Sequence, residues 1–380
     1  MKLVIIEHEP YSVRKKKHYY IDEFVRNNVQ VEYWDVSKAL KYTKEIQYTN
    51  VDESGFVKIF TSIRQIIQEI EKLDVKSTSL IVEIFHRLNT NSIFKTIAKK
   101  RLFWSRLNYY HNPTSILAPP PDKRRRIYKL TSSRVWGNIF LKYFGGGIKD
   151  PMVYFRTGNL SDKSSRSISL DFFDIEDYRN QGNDGNPLIH TPYIVFLDIM
   201  LTKHPDFKRL GINTIDDDIY FTKICGFFDK LESHYKMPVI IASHPKANYK
   251  NEFGDREIVQ NKTMELIKNA EFVLTHGSLS ISFALLFNKP LVYLTFEELN
   301  KHPYFNSYVK RMENACDFLS SKLINIDDFS FEDLILCVDE GKYNTFLDLV
   351  YRKSKDDFRS NFQILFDTLF QNKIKLLKQP

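Results

Sequence analysis

Apolar residues in this chain come in short solid runs separated by amphipathic stretches. Leu3–Glu7, Val29–Trp34, Leu80–Phe85, Tyr193–Leu197, Val239–Ala242, Phe272–Leu274 and Leu291–Leu294 each predict a strand. Where the run is unbroken, as in Tyr193–Leu197 and Val239–Ala242, it marks a strand covered on both faces, while Val29–Trp34 is interrupted by Gln30 and Glu32. Between the runs the period lengthens to that of a helix. A helical stretch running to about Asn27 carries Tyr19, Tyr20, Ile21, Phe24 and Val25. Residues 57–73 place Ile59, Phe60, Ile63, Ile66, Ile67 and Ile70 on one face, which predicts an amphipathic helix. Further helices are expected over Ser92–Lys99, Ile127–Phe144, Ile219–His234, Thr263–Asn269, Ser278–Phe287 and Lys355–Phe370. Leu102–Trp104 and Val153–Phe155 add short strands, the second taken as the last of its half.

Strands alternating with helices predict parallel sheets joined by right-handed crossovers, an α/β fold. The chain opens as a Rossmann-like half does, without the G-x-G-x-x-G of a dinucleotide fingerprint. Residues 158–190 are rich in Ser, Asp, Asn and Gly, and Asn183-Asp184-Gly185-Asn186-Pro187 is the strongest linker signal. A second α/β unit starts after it. The expected organisation is a Rossmann-like domain over 1–187, a second over 188–350 and a C-terminal helical tail over 351–380. A length of 380 residues suits two domains.

Composition narrows the classes. Aromatic content of 14% rules out a disordered chain. Cys225, Cys316 and Cys337 are scattered, which suggests a reducing compartment and no metal or disulfide framework. No run approaches the roughly 18 apolar residues of a membrane span, and Glu7 comes too early for a signal peptide. A cytoplasmic protein is expected, soluble or held at the inner face of the membrane. The net charge of +8 is concentrated: residues 101–150 hold ten Lys or Arg against Asp122 and Asp150. Basic and aromatic residues interleave over residues 99–144, so Trp104, Trp136 and Phe144 could lie in a lipid headgroup layer; a solvated basic face is the plainer reading. No nucleic-acid-binding signature accompanies the charge.

In an open parallel sheet, ligands bind beyond the carboxyl ends of the strands. Ser243-His244-Pro245-Lys246 follows a buried strand on a stiffened turn, and a cationic His244 with Lys246 would suit a phosphate. Thr275-His276-Gly277-Ser278-Leu279-Ser280 leads a strand into a helix; Gly277 permits close approach, and Ser278 and Ser280 can cap the helix or bind an anion at its start. These two turns are expected on neighbouring strands, forming one pocket. Asp198, ending its strand, could serve as base, nucleophile or turn-former, and Glu297 could bind sugar hydroxyls or simply begin a helix. From the first half, Glu7, Glu9 and Glu83 would face the same cleft as candidate bases, with His8 and His86 beside them. Asp216-Asp217-Asp218 reads as the charged start of a helix, and no metal site is expected.

The ordered pair His244-Pro245 and Thr275–Ser280, with the opening Leu3–Trp34 and the Phe196-Leu197-Asp198 strand, resembles bacterial capsule and lipopolysaccharide glycosyltransferases of GT-B fold. The likeness is strongest to enzymes using CMP-activated ulosonic acids, the sialyltransferases and Kdo transferases. The resemblance implies two Rossmann-like domains facing a central cleft and a nucleotide-sugar donor as co-substrate, CMP-linked, with no separate cofactor. It implies a glycan or lipid-linked acceptor, His244 and Ser278 at the nucleotide, and a carboxylate from Asp198, Glu9 or Glu83 in catalysis. The paired-acid-plus-Gly motif of several sialyltransferases is missing: Asp174, Glu176 and Asp177 lack the Gly, and Asp339-Glu340-Gly341 comes too late in the chain. A UDP- or GDP-sugar transferase or epimerase of the same fold, and a non-catalytic polysaccharide-assembly protein, are the alternatives.

Overall fold

The structure is a computed structural model and describes residues 1–41, 55–108, 150–159, 166–181, 187–204, 207 and 212–373. Its strands form two sheets. The first comprises β1 (Lys2–Glu7), β2 (Gln30–Asp35), β3 (Val57–Ile59), β4 (Thr78–Glu83), β5 (Phe103–Asn108), β6 (Val153–Thr157) and β7 (Ser167–Leu170), in the order β3-β2-β1-β4-β5-β6-β7. The second comprises β8 (Ile194–Leu197), β9 (Val239–Ser243), β10 (Ile258–Gln260), β11 (Phe272–Thr275), β12 (Leu291–Thr295) and β13 (Leu323–Asn325), in the order β10-β9-β8-β11-β12-β13. Neighbouring strands in both sheets run parallel. Each sheet therefore repeats the doubly wound order 3-2-1-4-5-6, and the first adds β7 at its edge. In that order the chain reverses direction across the sheet beside its first strand, opening a crevice between β1 and β4 and another between β8 and β11.

The solid apolar runs form the central strands because both faces are covered. Leu3 and Ile5 enter one core with Phe24, while Val4 and Ile6 enter another with Trp34. The second sheet is buried in a single large core from Phe172 to Tyr351.

Several elements differ from expectation. Residues 57–73 split into β3 and the helix Ile63–Lys72, because Ser62 and Gln65 form a capping box that starts the helix late. The first helical stretch is two helices, Val13–His18 and Ile21–Arg26, broken at Tyr20, whose φ is 52°. Val153–Phe155 does not end its sheet, since β7 follows. The segment 158–190 is more than a linker: it holds β7 and the helix Phe173–Asn180. That helix sits between the halves. Asp174 accepts from Ser282 of the second unit, and Phe173 stacks on His18 of the first with ring centres 4.4 Å apart. The linker motif 183–187, up to its Pro187, and the expected helix Ile127–Phe144 lie outside the described residues.

The C-terminal helix starts at Asn361, capped by Ser360 and Gln363, and packs on the first core. Phe24 meets Phe362 at 5.1 Å and Phe370 at 6.1 Å between ring centres, and the Ser79 hydroxyl donates to the Leu369 carbonyl at 2.6 Å. No helix among the described residues is long and apolar enough to cross a membrane.

Candidate functional site

The carboxyl edges of the two sheets meet across a cleft. Lys246, beyond β9, lies 3.8 Å from Glu9, beyond β1.

On the second sheet, the loops after β8, β9 and β11 share one edge. His244 and Ser278 do not follow neighbouring strands, as the sequence suggested: β8 lies between β9 and β11, so the two turns flank it. Asp198 ties the central loops together. One of its oxygens accepts the Met200 amide at 2.9 Å; the other accepts the His244 amide at 3.2 Å and the Tyr249 hydroxyl at 2.9 Å. Buried and engaged on both oxygens, Asp198 positions the His-Pro turn and is not set out as a nucleophile. Gln260 on β10 completes the turn, its amide donating to the carbonyls of His244, Pro245 and Ala247 at 3.1–3.2 Å. Sequence reading missed Gln260, because its reach back to the turn depends on the pairing of β10 with β9.

The imidazole of His244 is neutral, not cationic. Burial holds it down at about 3, with repulsion from His204, Lys246 and Arg14 adding to the effect. Its Nδ1 accepts the Lys246 amide at 3.1 Å, so Nε2 carries the proton. Positive charge at this end of the cleft comes from Lys246 and from Arg14 on the helix Val13–His18. Arg14 is a residue the sequence did not single out.

The turn after β11 differs from a bare anion site. The buried Thr275 hydroxyl accepts the amides of Gly277 and Ser278, both at 2.9 Å, and Ser278 Oγ accepts the Ser280 amide at 3.2 Å. Those amides are satisfied within the turn, so a ligand would meet the Ser278 and Ser280 hydroxyls and not the start of the helix, which runs only over Ile281–Leu286. Gly277 has φ +94°, and a Cβ there would come within 2.7 Å of the Tyr308 hydroxyl, which donates to the His276 and Gly277 carbonyls. His276 is a core residue and not a ligand. It is fully buried, its Nδ1 donates to the Leu294 carbonyl at 2.9 Å, and its ring packs edge-on to Phe196. Burial lowers it to about 4, which keeps it neutral. Glu297 is the exposed first residue of the helix Glu297–Lys301 and pairs at the surface with Lys301 one turn on, as expected of a Glu that begins a helix.

On the first sheet, Glu7 and Glu83 occupy paired register positions at the carboxyl ends of β1 and β4, beside the crevice. Their environments drive them apart. Glu7 accepts from Lys15 at 2.7 Å and from the Tyr19 hydroxyl at 2.5 Å; burial alone would raise it, but Lys15 and His8 hold it far below the usual carboxylate range. Glu83 lacks such a cation. Burial and the Glu7 charge push it up to about 8, against the opposing pull of Arg106 and the Leu107 amide, which donates at 2.6 Å. Burial opposes ionisation of Glu9 too, but Lys15 at 3.1 Å keeps its carboxylate below the ordinary value. His8 donates from Nδ1 towards Glu7 at 2.8 Å and the Glu83 carbonyl at 2.6 Å; these contacts outweigh burial and raise it. His86 stays apart, bonded to Asn91.

Trp104 lies in the core against Phe94, with ring centres 5.4 Å apart, and so takes no place in a headgroup layer. The rest of the expected membrane-contacting stretch, from 109 to 144, lies outside the described residues. Among the described residues, no group of three or more His, Cys, Asp or Glu is arranged to hold a metal ion.

Two doubly wound parallel sheets set edge to edge across a cleft constitute a GT-B architecture. The wall teichoic acid polymerase TagF, as its H444N variant, superposes with a TM-score of 0.51 at 9% identity over 100% of this chain and 90% of that one. The S. aureus MnaA–UDP co-structure (TM-score 0.46, 12% identity, 100% of this chain, 98% of that one) and the calicheamicin glycosyltransferase CalG4 (0.46, 9%, 99% and 94%) are more distant in shape. No protein-family model matches the chain, and no curated sequence does.

Proposed function

We propose that the protein transfers a sugar from a nucleotide-sugar donor, held on the second sheet, to an acceptor held on the first. The observation that carries this reading is the pairing across one cleft of a cation-bearing turn at β9 with a carboxylate pair of divided acidity at β1 and β4. As the sugar–phosphate bond breaks, the departing phosphate gains negative charge. Lys246 and the Nε2–H of His244 meet that charge, with the Ser278 and Ser280 hydroxyls on the far side of β8. Glu83 accepts the proton of the acceptor hydroxyl. A carboxylate whose pKa stands near working pH is both available and basic, whereas Glu7 and Glu9 are held ionised and weakly basic by Lys15.

The ordered pair His244-Pro245 and Thr275–Ser280 favours a CMP-activated ulosonic acid among nucleotide-sugar donors. Calorimetric titration with CMP, UDP and GDP tests the class and the base together. Binding of CMP alone supports the ulosonic donor, preferential binding of UDP or GDP replaces it, and no binding of any nucleotide overturns the transferase reading. His244→Ala should weaken the preferred nucleotide by about tenfold, the loss of one hydrogen bond to a charged group.

Gln260→Ala provides an independent check on the turn. Its two amide hydrogens are shared among three carbonyls at an exposed site, so together these bonds are worth roughly 0.5–1.5 kcal/mol net. Nucleotide affinity is expected to fall several-fold with little change in melting temperature. Unchanged affinity would show that the turn keeps its shape without Gln260.

A further inference from the structure

The loop after β4 lies beside Glu83 and has no part in donor binding. Its backbone is fixed from both ends. The Thr90 hydroxyl, buried, donates to the Phe85 carbonyl at 2.7 Å and accepts the Arg87 amide at 2.9 Å. Arg106 Nη2, from β5, donates to the Ile84 carbonyl at 2.8 Å. This rigid loop nevertheless holds two large apolar side chains out of the core, Phe85 at 50% and Leu88 at 54% exposure. Single exposed apolar residues are ordinary; two on one braced loop, with charge gathered on one ring, are not. The Arg87 and Arg106 guanidiniums stand 5.2 and 5.7 Å from the centre of the Phe85 ring. Neither makes a salt bridge to a carboxylate among the described residues, and a guanidinium cannot shed its charge.

We propose that Phe85, Arg87, Leu88 and Arg106 form the acceptor subsite, and that the acceptor is an amphiphile bearing a phosphate ester next to an apolar group. Two guanidiniums offer the forked donors that phosphate oxygens take in pairs. Phe85 and Leu88 offer the apolar contact that the phosphate's neighbour requires. Phe85 follows Glu83 by two positions, so an acceptor anchored here presents its hydroxyls beside that carboxyl. The subsite rests on the transferase reading for its role, though not for its chemistry.

The test is calorimetry with n-dodecyl phosphate, inorganic phosphate and n-dodecyl maltoside, each below any micellar concentration, with the nucleotide titration run in parallel on the same samples. Dodecyl phosphate is expected to bind at least about tenfold more tightly than either control, since each control lacks one of the two contacts. Arg87→Gln and the pair Phe85→Ser with Leu88→Ser should each weaken it by about tenfold and leave nucleotide affinity unchanged. Retained nucleotide binding shows that these variants are folded. Arg106 braces the loop, so Arg87→Gln is the decisive charge variant. Equal binding of inorganic phosphate or of dodecyl maltoside overturns the proposal, as does an Arg87→Gln variant that binds dodecyl phosphate normally. If no nucleotide binds while dodecyl phosphate still does, the transferase reading falls and the amphiphile site stands.

Discussion

Glu83→Gln should reduce sugar transfer by roughly 100- to 10,000-fold, the range for loss of a positioned base, while leaving nucleotide affinity on the other sheet unchanged. The expectation rests on the pairing of Glu7 with Glu83 in register, where one carboxylate is neutralised by Lys15 and its neighbour is not. The pH dependence gives the sharper form of the test. A base must be ionised to act, and Glu83 is protonated below about 8. The rate should therefore climb as pH rises through that value and level off above it. In Glu83→Gln the climb should vanish along with most of the rate. A wild-type profile already flat from pH 6 upward, or a Glu83→Gln variant of near-normal rate, would move the role to Glu9, whose carboxylate is ionised well below that range. Stability carries the same signature with its own sign. Because folding raises the Glu83 pKa, its contribution to stability is fully present below the ordinary carboxylate value near 4.5 and is lost as pH rises to about 8. Glu83→Gln should accordingly lose less stability than wild type between those limits, measured by urea unfolding.

Gly277→Ala is expected to disable the other half of the site. A side chain at φ +94° is strained by roughly 1–3 kcal/mol, and the new methyl would lie 2.7 Å from the Tyr308 hydroxyl and 3.2 Å from the ring carbon that bears it. For a domain of this size the strain alone lowers the melting temperature by about 2–12 °C. The greater effect should be on binding, because the same turn carries the Ser278 and Ser280 hydroxyls. Thermal unfolding and nucleotide titration measure the two separately. Adding Tyr308→Phe removes the nearest clashing atom but leaves the backbone strain and gives up the hydroxyl's bonds to the His276 and Gly277 carbonyls, so the double variant should recover at most part of the lost stability. A Gly277→Ala protein with unaltered melting temperature and affinity would mean that the turn does not have the conformation described.

How much of this could be read from the sequence follows from what each feature depends on. The central strands were plain because burial on two faces leaves an unbroken apolar run, as in Leu3–Ile6 or Tyr193–Leu197. Strand β7 was missed because its four residues, Ser-Ile-Ser-Leu, are too few and, at a sheet edge, too little buried to stand out from the Ser-rich stretch around them. The helix Phe173–Asn180 was missed because one of its buried residues is Asp174, stabilised by a hydroxyl 108 residues away in sequence. His276 looked like a ligand because a His at a strand end is chemically suggestive, yet the decisive fact is that its ring turns inward against Phe196. The divided acidity of Glu7 and Glu83 requires the register of β1 against β4, which no local pattern specifies. Gln260 and Tyr308 act by reaching back to distant turns, so their roles exist only in the folded chain.

The return of the C-terminal helix to the first sheet has a consequence for the making of the protein. Phe24 leaves the ribosome more than 300 residues ahead of Phe362, Phe366 and Phe370, which cover it. The amino-terminal half therefore emerges with an apolar face it cannot close, and must wait through synthesis of the entire second sheet. During that interval the nascent chain is a natural client for a holding chaperone. The first sheet's core is thus completed only once Phe362, Phe366 and Phe370 are in place, although each half has a sheet of its own.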